Sequence, residues 1–299
     1  MADAPDVTAH SRARVALETT LLLHGVPREE SRRLARCLSE EVRAQGATPA
    51  LVGVVAGRPV VGMTDADLDA MLARPAPEVR KLNTANLGPA MAAGAWGATT
   101  VSTTMELAAG AGVSVFATGG IGGVHEPVTR LDISADLIAL TRFPVAVVAS
   151  GCKSILNLTA TREVLETLGV PVVGLGTDDF PAFYFRRGDE AGVGGVGKVD
   201  WRFDDVPSLA RFVRRELART GRGVLVCNPI PAEHEISPGD WARWLSAARA
   251  RAGEAPGRDA TPAVLAALHE VSGGATLRAN IALVVHNAKV AGGLARAMV

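Results

Sequence analysis

Residues 147–158 read VVASGCKSILNL. The run leading in, Val145 to Ala149, is apolar and then breaks at Ser150 and Gly151. A strand without polar alternation is buried on both faces, which is the habit of a parallel sheet covered by helices. Lys153 stands where this strand gives way to the next element, an uncommon place for an ammonium. The same pattern recurs downstream. VPVVGL (170–175) and GVLVCNP (223–229) read as two more buried strands, set apart by helical stretches at 159–168 and 206–219.

Upstream, VALETTLLL (15–23) reads as a strand. Residues 27–46 read as a helix, with Pro27 at the start, acids in the first turn, Leu34, Leu38 and Val42 four apart, and Gly46 past the end. LVGVVAGRPVVGM (51–63) predicts a hairpin around a Gly-Arg-Pro turn. A short capped helix is expected at 64–73 and helix over much of 89–112. A strand running into glycines follows at 113–127, then a helix at 132–140, and mostly helix after residue 238. Helix and strand alternate without a repeat period, which predicts one α/β domain over residues 14–299 behind a flexible N-terminal arm, residues 1–13.

Composition narrows the partners. Lys plus Arg and Asp plus Glu both number 31, so the net charge is zero and bulk binding to nucleic acid or an anionic membrane is not expected. Cys37, Cys152 and Cys227 lie far apart with no CxxC pair, which suits a reducing compartment. The polar N-terminus lacks the apolar core of a signal peptide, and a cytoplasmic enzyme is expected.

Four features carry chemistry. TGGIGG (118–123) follows a strand; it is either a phosphate-cradling loop or a tight turn needing positive φ. In LDISADL, a helix starting at Asp132 would put Asp132 and Asp136 on one face, as an acidic first turn or as oxygen ligands for a hard metal. Lys153 is a solvated edge residue or, if half-buried, an amine more easily neutralised and so nucleophilic toward carbonyls. Glu18 interrupts an apolar strand, where a carboxylate needs a salt-bridge partner or serves as a general acid/base. Asn228 and Asn280 are amide hydrogen-bonders, each with a structural reading beside the functional one. Alone, these features suggest an enzyme that handles a phosphorylated carbonyl compound with a lysine.

Taken together, VALETTLLLHGVP, GATTVSTTM, VFATGGIGGVH, DISADL, GCKSILNL, FPAFYFR, NPIP and GGATLRANIALV occur in one order. That series resembles the pseudouridine-5′-phosphate glycosidase family from about residue 14 to about residue 297. The resemblance implies an α/β/α layered sandwich, a homotrimer and a divalent metal, Mn²⁺ or else Mg²⁺. It implies reversible cleavage of a ribose C1′–carbon bond, giving ribose 5-phosphate and uracil. It makes Lys153 the Schiff-base lysine, Glu18 the acid/base and Asp132 the metal aspartate. Lys81, Val101, Ser134, Ala135 and Asp136 become substrate contacts, and Asn280 an amide that reads the base.

Three stretches depart from the family pattern. KLNTANLGP has lost an Arg-Asp pair, HEPVTRLD is one residue short and carries Glu126 and Pro127, and His286-Asn287 replaces an Asn-Asn pair. A kept chemical core with altered rim segments points to a changed aglycone, because binding contacts set specificity. The expectation therefore leans toward C-ribosylation of a non-uracil aromatic aglycone, as in the alnumycin pathway. Housekeeping cleavage is the alternative. A non-catalytic sugar-phosphate binder is disfavoured, since binding needs neither Glu18 nor Lys153. A lysine aldolase on an α/β barrel fits the hairpin and irregular element order poorly.

Overall fold

A computed structural model describes residues 13–126, 131–188, 197–252 and 260–299. Residues 1–12 of the expected arm lie outside these, as does Pro127; Ala13 is buried at the foot of the first strand. The described strands form one sheet. Its spine is β1 (Arg14–Glu18), β6 (Val115–Ala117), β7 (Ala146–Ala149), β10 (Val224–Cys227), β8 (Val172–Leu175) and β9 (Trp201–Phe203), each parallel to the next. On the other side of β1 lies β2 (Thr48–Val55), also parallel to it, then β5 (Trp96–Thr99) and β4 (Val79–Leu82). Every residue of β7 and β10 is buried, as the unalternating Val/Ala runs require.

Helices cover both faces. α2 (Arg28–Ala44), α8 (Val206–Thr220) and α11 (Ala275–Ala297) pack together on one; α4 (Thr84–Ala92), α5 (Val101–Gly110) and α6 (Ala135–Arg142) pack on the other. The layered sandwich is thus present. α9 (Pro238–Ala252) and α10 (Ala260–Val271) pair with each other beside α11.

Several expectations are corrected. The strand read over 15–23 ends at Glu18, and the chain turns at Thr19 into a short helix, α1 (Thr20–His24). Thr19 sends its hydroxyl sideways, accepting from Thr99 N at 2.9 Å and donating to Val52 O at 2.9 Å, so the apolar run after it folds back instead of extending. The hairpin of β2 and β3 (Arg58–Val61) turns at Ala56-Gly57, both at positive φ, and Arg58 and Pro59 already belong to β3. The stretch read as helix over 89–112 contains β5, with helix on either side.

β5 enters antiparallel to β2, the reverse of the β1–β2 sense. Its last residue, Thr99, therefore arrives beside Thr19 at the C-terminal end of β1. That reversal carries Lys81 on β4 and the N-terminus of α5 to the edge where Glu18 and Lys153 emerge. Ligands favour the C-terminal edge of open α/β sheets.

Candidate active site

A cavity of about 310 Å³ opens at this edge. Glu18, Lys81, Val101 and Lys153 line it, together with Asp132, Ser134, Ala135 and Asp136 from the approach to α6, and Asn280 from α11. All nine residues expected at the site share one cavity, although they span more than 260 positions of chain.

Glu18 is only 8% exposed. Its Oε1 accepts a hydrogen bond from the Thr118 hydroxyl. Burial pushes its carboxyl above the ordinary range; the Lys153 ammonium and the Thr118 bond pull the other way and only in part. A carboxyl biased toward its protonated form beside an amine is equipped to deliver and recover a proton.

Lys153 is half-buried, its backbone fixed by N–H donation to Ile121 O at 3.2 Å. The turn before it depends on Gly151, at φ +69°, where a Cβ would collide with the Pro181 carbonyl. The small residues ahead of the lysine thus let the segment at 180–185 lie directly against the strand end.

The glycine loop is corrected in its reason. Gly119, Gly120, Gly122 and Gly123 all have negative or extended φ; what they supply is space. A Cβ on Gly122 would lie 2.8 Å from Asp136 Oδ2, where the Gly122 N–H now donates at 2.8 Å. Ile121 N is likewise engaged, by Gly151 O at 3.0 Å. These two amides hold the loop's own architecture.

Asp132 and Asp136 do not share a helix face. Ser134 is the N-cap of α6, its Oγ accepting from Asp136 N at 3.2 Å, so Asp132 precedes the helix. A cap serine competes well for a helix start, and it displaced the boundary. Asp136, 5% exposed, spends Oδ1 on Ser102 N at 2.9 Å and Oδ2 on Gly122 N. It ties the N-terminus of α5 to the glycine loop. Asp132 lines the cavity, and its carbonyl accepts from His125 N at 2.9 Å.

Among the described residues no cluster of three or more His, Cys, Asp or Glu side chains could hold a metal. Asp132 and His125 both line the cavity; burial lowers the imidazole's pKa, and Asp132 opposes that shift. A hard divalent ion that keeps several waters needs only one or two carboxylates, so an ion here would rest on Asp132 with water completing its shell.

Asn280 is 2% exposed, and among the described residues its buried Oδ1 has no partner. Thr20 Oγ1, also in the cavity wall, is likewise unpartnered. Such atoms await a ligand's polar groups. Asn228 is structural, donating to Asn287 Oδ1 at 2.9 Å, while Asn287 Nδ2 donates to Thr118 O at 2.8 Å and Ser150 Oγ at 3.1 Å. His286, one of the altered positions, meets Asn228 outside the cavity lining, and Glu126 accepts from Asn157 at 2.6 Å. Of the altered positions among the described residues, Asn83 lines the cavity whereas Glu126 and His286 do not; His125 and Asp132, at the two ends of the second stretch, line it as well. Sequence reading missed Thr118, Thr20, His24, His125 and Phe183. All five sit inside quoted motifs, Phe183 in FPAFYFR, but nothing in the residue types themselves sets them apart from core or turn residues.

A lysine and a buried carboxyl facing one cavity, with a second lysine and a serine-capped helix opposite, define an α/β enzyme for a small anionic carbonyl substrate. The family model "Indigoidine synthase A like protein" matches residues 4–297, and the chain belongs to that family. It is 45% identical to the pseudouridine-5′-phosphate glycosidase of Symbiobacterium thermophilum over 96% of this chain and 93% of that one. It is 46% identical to that of Methylobacterium nodulans over 95% and 83%. Among solved structures, an indigoidine synthase A-like protein from Thermotoga maritima superposes with TM-score 0.85 at 36% identity, covering 95% and 92%. The prealnumycin C-glycosynthase AlnA in complex with ribulose 5-phosphate superposes with TM-score 0.85 at 33% identity, covering 97% and 93%. The protein is an enzyme of this C-glycosidase and C-glycosynthase type, acting in ribose-phosphate C-glycoside chemistry.

Proposed function

We propose that the protein cleaves pseudouridine 5′-phosphate reversibly to uracil and ribose 5-phosphate through a Schiff base on Lys153. The observation that carries this reading is the mutual action of Lys153 and buried Glu18 across one cavity. The glycosidic bond is carbon–carbon, so the leaving group has no heteroatom to protonate, and paired-carboxylate hydrolysis is a poor route.

The Lys153 amine adds to C1′ as the C1′–O4′ bond breaks, and protonated Glu18 gives its proton to O4′. The Glu18 carboxylate then takes a proton from the secondary ammonium formed on Lys153, which frees the nitrogen lone pair, and the regenerated carboxylic acid protonates the base carbon. The nitrogen lone pair forms the C1′ iminium as the C1′–carbon bond breaks, and uracil leaves. Water adds to the iminium and releases ribose 5-phosphate and the free amine. Lys81 and Ser134 lie on the wall suited to the phosphate. Asn280 Oδ1 suits an N–H of the base. A divalent ion, Mn²⁺ or Mg²⁺, would be held by Asp132 with water completing its shell and would supply positive charge toward the substrate's oxygens. A homotrimer and a cytoplasmic location belong to the same reading. Among the described residues no helix is long and apolar enough to cross a membrane.

The test is incubation with pseudouridine 5′-phosphate and Mn²⁺, with uracil followed by chromatography and the ribose 5-phosphate adduct trapped by borohydride. Uracil release with an adduct on Lys153 is expected. Binding of ribose 5-phosphate with no adduct overturns the Schiff base. An adduct without uracil release selects the second reading, C-ribosylation of another aromatic aglycone, which Asn83 in the cavity wall favours. For the metal, Mn²⁺ binding read by electron paramagnetic resonance should weaken in Asp132→Asn. Unchanged binding removes Asp132 from that role.

A further inference from the structure

The residues lining the cavity do not explain why the Asn280 amide faces as it does. Gly25 follows α1, seven residues after Glu18, and its carbonyl can only accept hydrogen bonds. Two side chains from the C-terminal helices reach it, Asn280 Nδ2 and His269 Nε2, each at 3.4 Å. Because the carbonyl accepts, the amide must turn its nitrogen to Gly25. Oδ1 is thereby left facing Gly119, where a Cβ would lie 3.4 Å from Oδ1 and 3.1 Å from the Phe183 ring.

The same rule fixes the histidine. Nε2 carries the proton toward Gly25, so Nδ1 accepts from the Thr276 hydroxyl at 2.9 Å. Ser272 Oγ stands 3.0 Å from Thr276 Oγ1, accepts from Thr276 N at 3.2 Å and donates to His269 O at 3.3 Å, which leaves the Thr276 hydroxyl proton for Nδ1. Burial lowers the imidazole's pKa and favours the neutral form that this pattern needs. His269 is 9% exposed and is not among the residues lining the cavity, which it reaches only through Gly25 and Asn280.

We propose that His269 is a positioning residue for aglycone recognition: through the Gly25 carbonyl it fixes the end of α1 and holds Asn280 with Oδ1 toward the cavity. This deepens the function proposed above and rests on it for the identity of the aglycone. Without His269, the Gly25 carbonyl keeps only its 3.4 Å bond from Asn280, and the end of α1 that presents this acceptor loses its second tie, so the acceptor that orients the amide is no longer held in place.

The experiment has two arms. In synthesis from ribose 5-phosphate and uracil, His269→Leu should raise KM for uracil about tenfold, the loss of one net hydrogen bond. KM for ribose 5-phosphate and borohydride trapping should stay at the wild-type level. His269→Gln, which can still donate to Gly25, should recover most of the loss, and Thr276→Val should share part of it. A parallel rise in both KM values, or an unchanged KM for uracil, overturns the proposal. The second arm is independent of the aglycone. Nitrogen-15 NMR of the intact enzyme should show His269 as the Nε2–H tautomer, and His269→Leu should shift the Asn280 side-chain amide signals. The Nδ1–H tautomer, or unmoved Asn280 signals, overturns it. A wild-type enzyme that forms no bond to uracil but gives the expected spectra refutes the pseudouridine reading and leaves the positioning role standing.

Discussion

In the proposed mechanism Lys153 and Glu18 perform different halves of one proton and electron inventory, and their replacements should separate. Lys153→Ala should abolish both turnover and the borohydride adduct while the unfolding midpoint holds. Glu18→Gln should retain the adduct with ribose 5-phosphate and lose about 10²–10⁴-fold in kcat, the usual share of a general acid/base. Stability should respond as well. Burial raises the Glu18 pKa above 4.5, so the folded protein binds more protons there than the unfolded chain. The stabilisation is complete below pH 4.5 and is lost as pH rises through the folded-state value. Glu18→Gln should therefore unfold at a higher denaturant concentration than wild type at neutral pH, and the gap should close in acid; a gap independent of pH would contradict the burial argument. At this scale the sequence was a good guide. An ammonium at a buried strand end and a carboxylate inside an apolar strand are both expensive, and that expense is visible without coordinates. The unpartnered Thr20 hydroxyl was not visible, because threonine is unremarkable at a helix start.

Among the elements, the link between α5, α6 and the glycine loop is a single carboxylate. Asp136→Ala removes the acceptor of two buried N–H groups and should cost about 2–4 kcal/mol by urea unfolding. It should also lower trapping on Lys153, since Ile121 anchors the lysine's own N–H. Asp136→Asn keeps one acceptor oxygen and should fall between. The long amphipathic helices were legible from periodicity and caps: α2 ends one residue before Gln45-Gly46, and α8 lies at Val206–Thr220. β4, β5 and β9 were not: β7, β8 and β10 are as short but lie in Val-rich apolar runs, whereas VRKL, WGAT and WRF do not. Strands that short carry no period, and WGAT inside an Ala-rich stretch has helical composition. Pairing with β2 overrides that local preference.

For the whole molecule, the far edge of the sheet is clasped by Arg162 on α7 (Leu158–Thr167). The guanidinium pairs with Asp200 and donates to Lys198 O at 3.0 Å, and Asp200 accepts from Val172 N at 2.8 Å. Asp200 is partly exposed, which discounts the pair; Arg162→Met should cost about 2 kcal/mol by urea unfolding and leave the Lys153 adduct intact. The antiparallel arrival of β5 could not be read from sequence, because strand direction is decided by connections across the sheet rather than by any local signal. α11 binds the two ends of the chain into one site. Asn280 forms part of its wall, and Asn287 holds the carbonyl of Thr118, the residue whose hydroxyl serves Glu18. During synthesis, then, Lys153 leaves the ribosome more than a hundred residues before the helix that completes its surroundings. The nascent chain carries the Lys153 amine with no finished chamber around it, and the cavity is closed only once α11 has emerged.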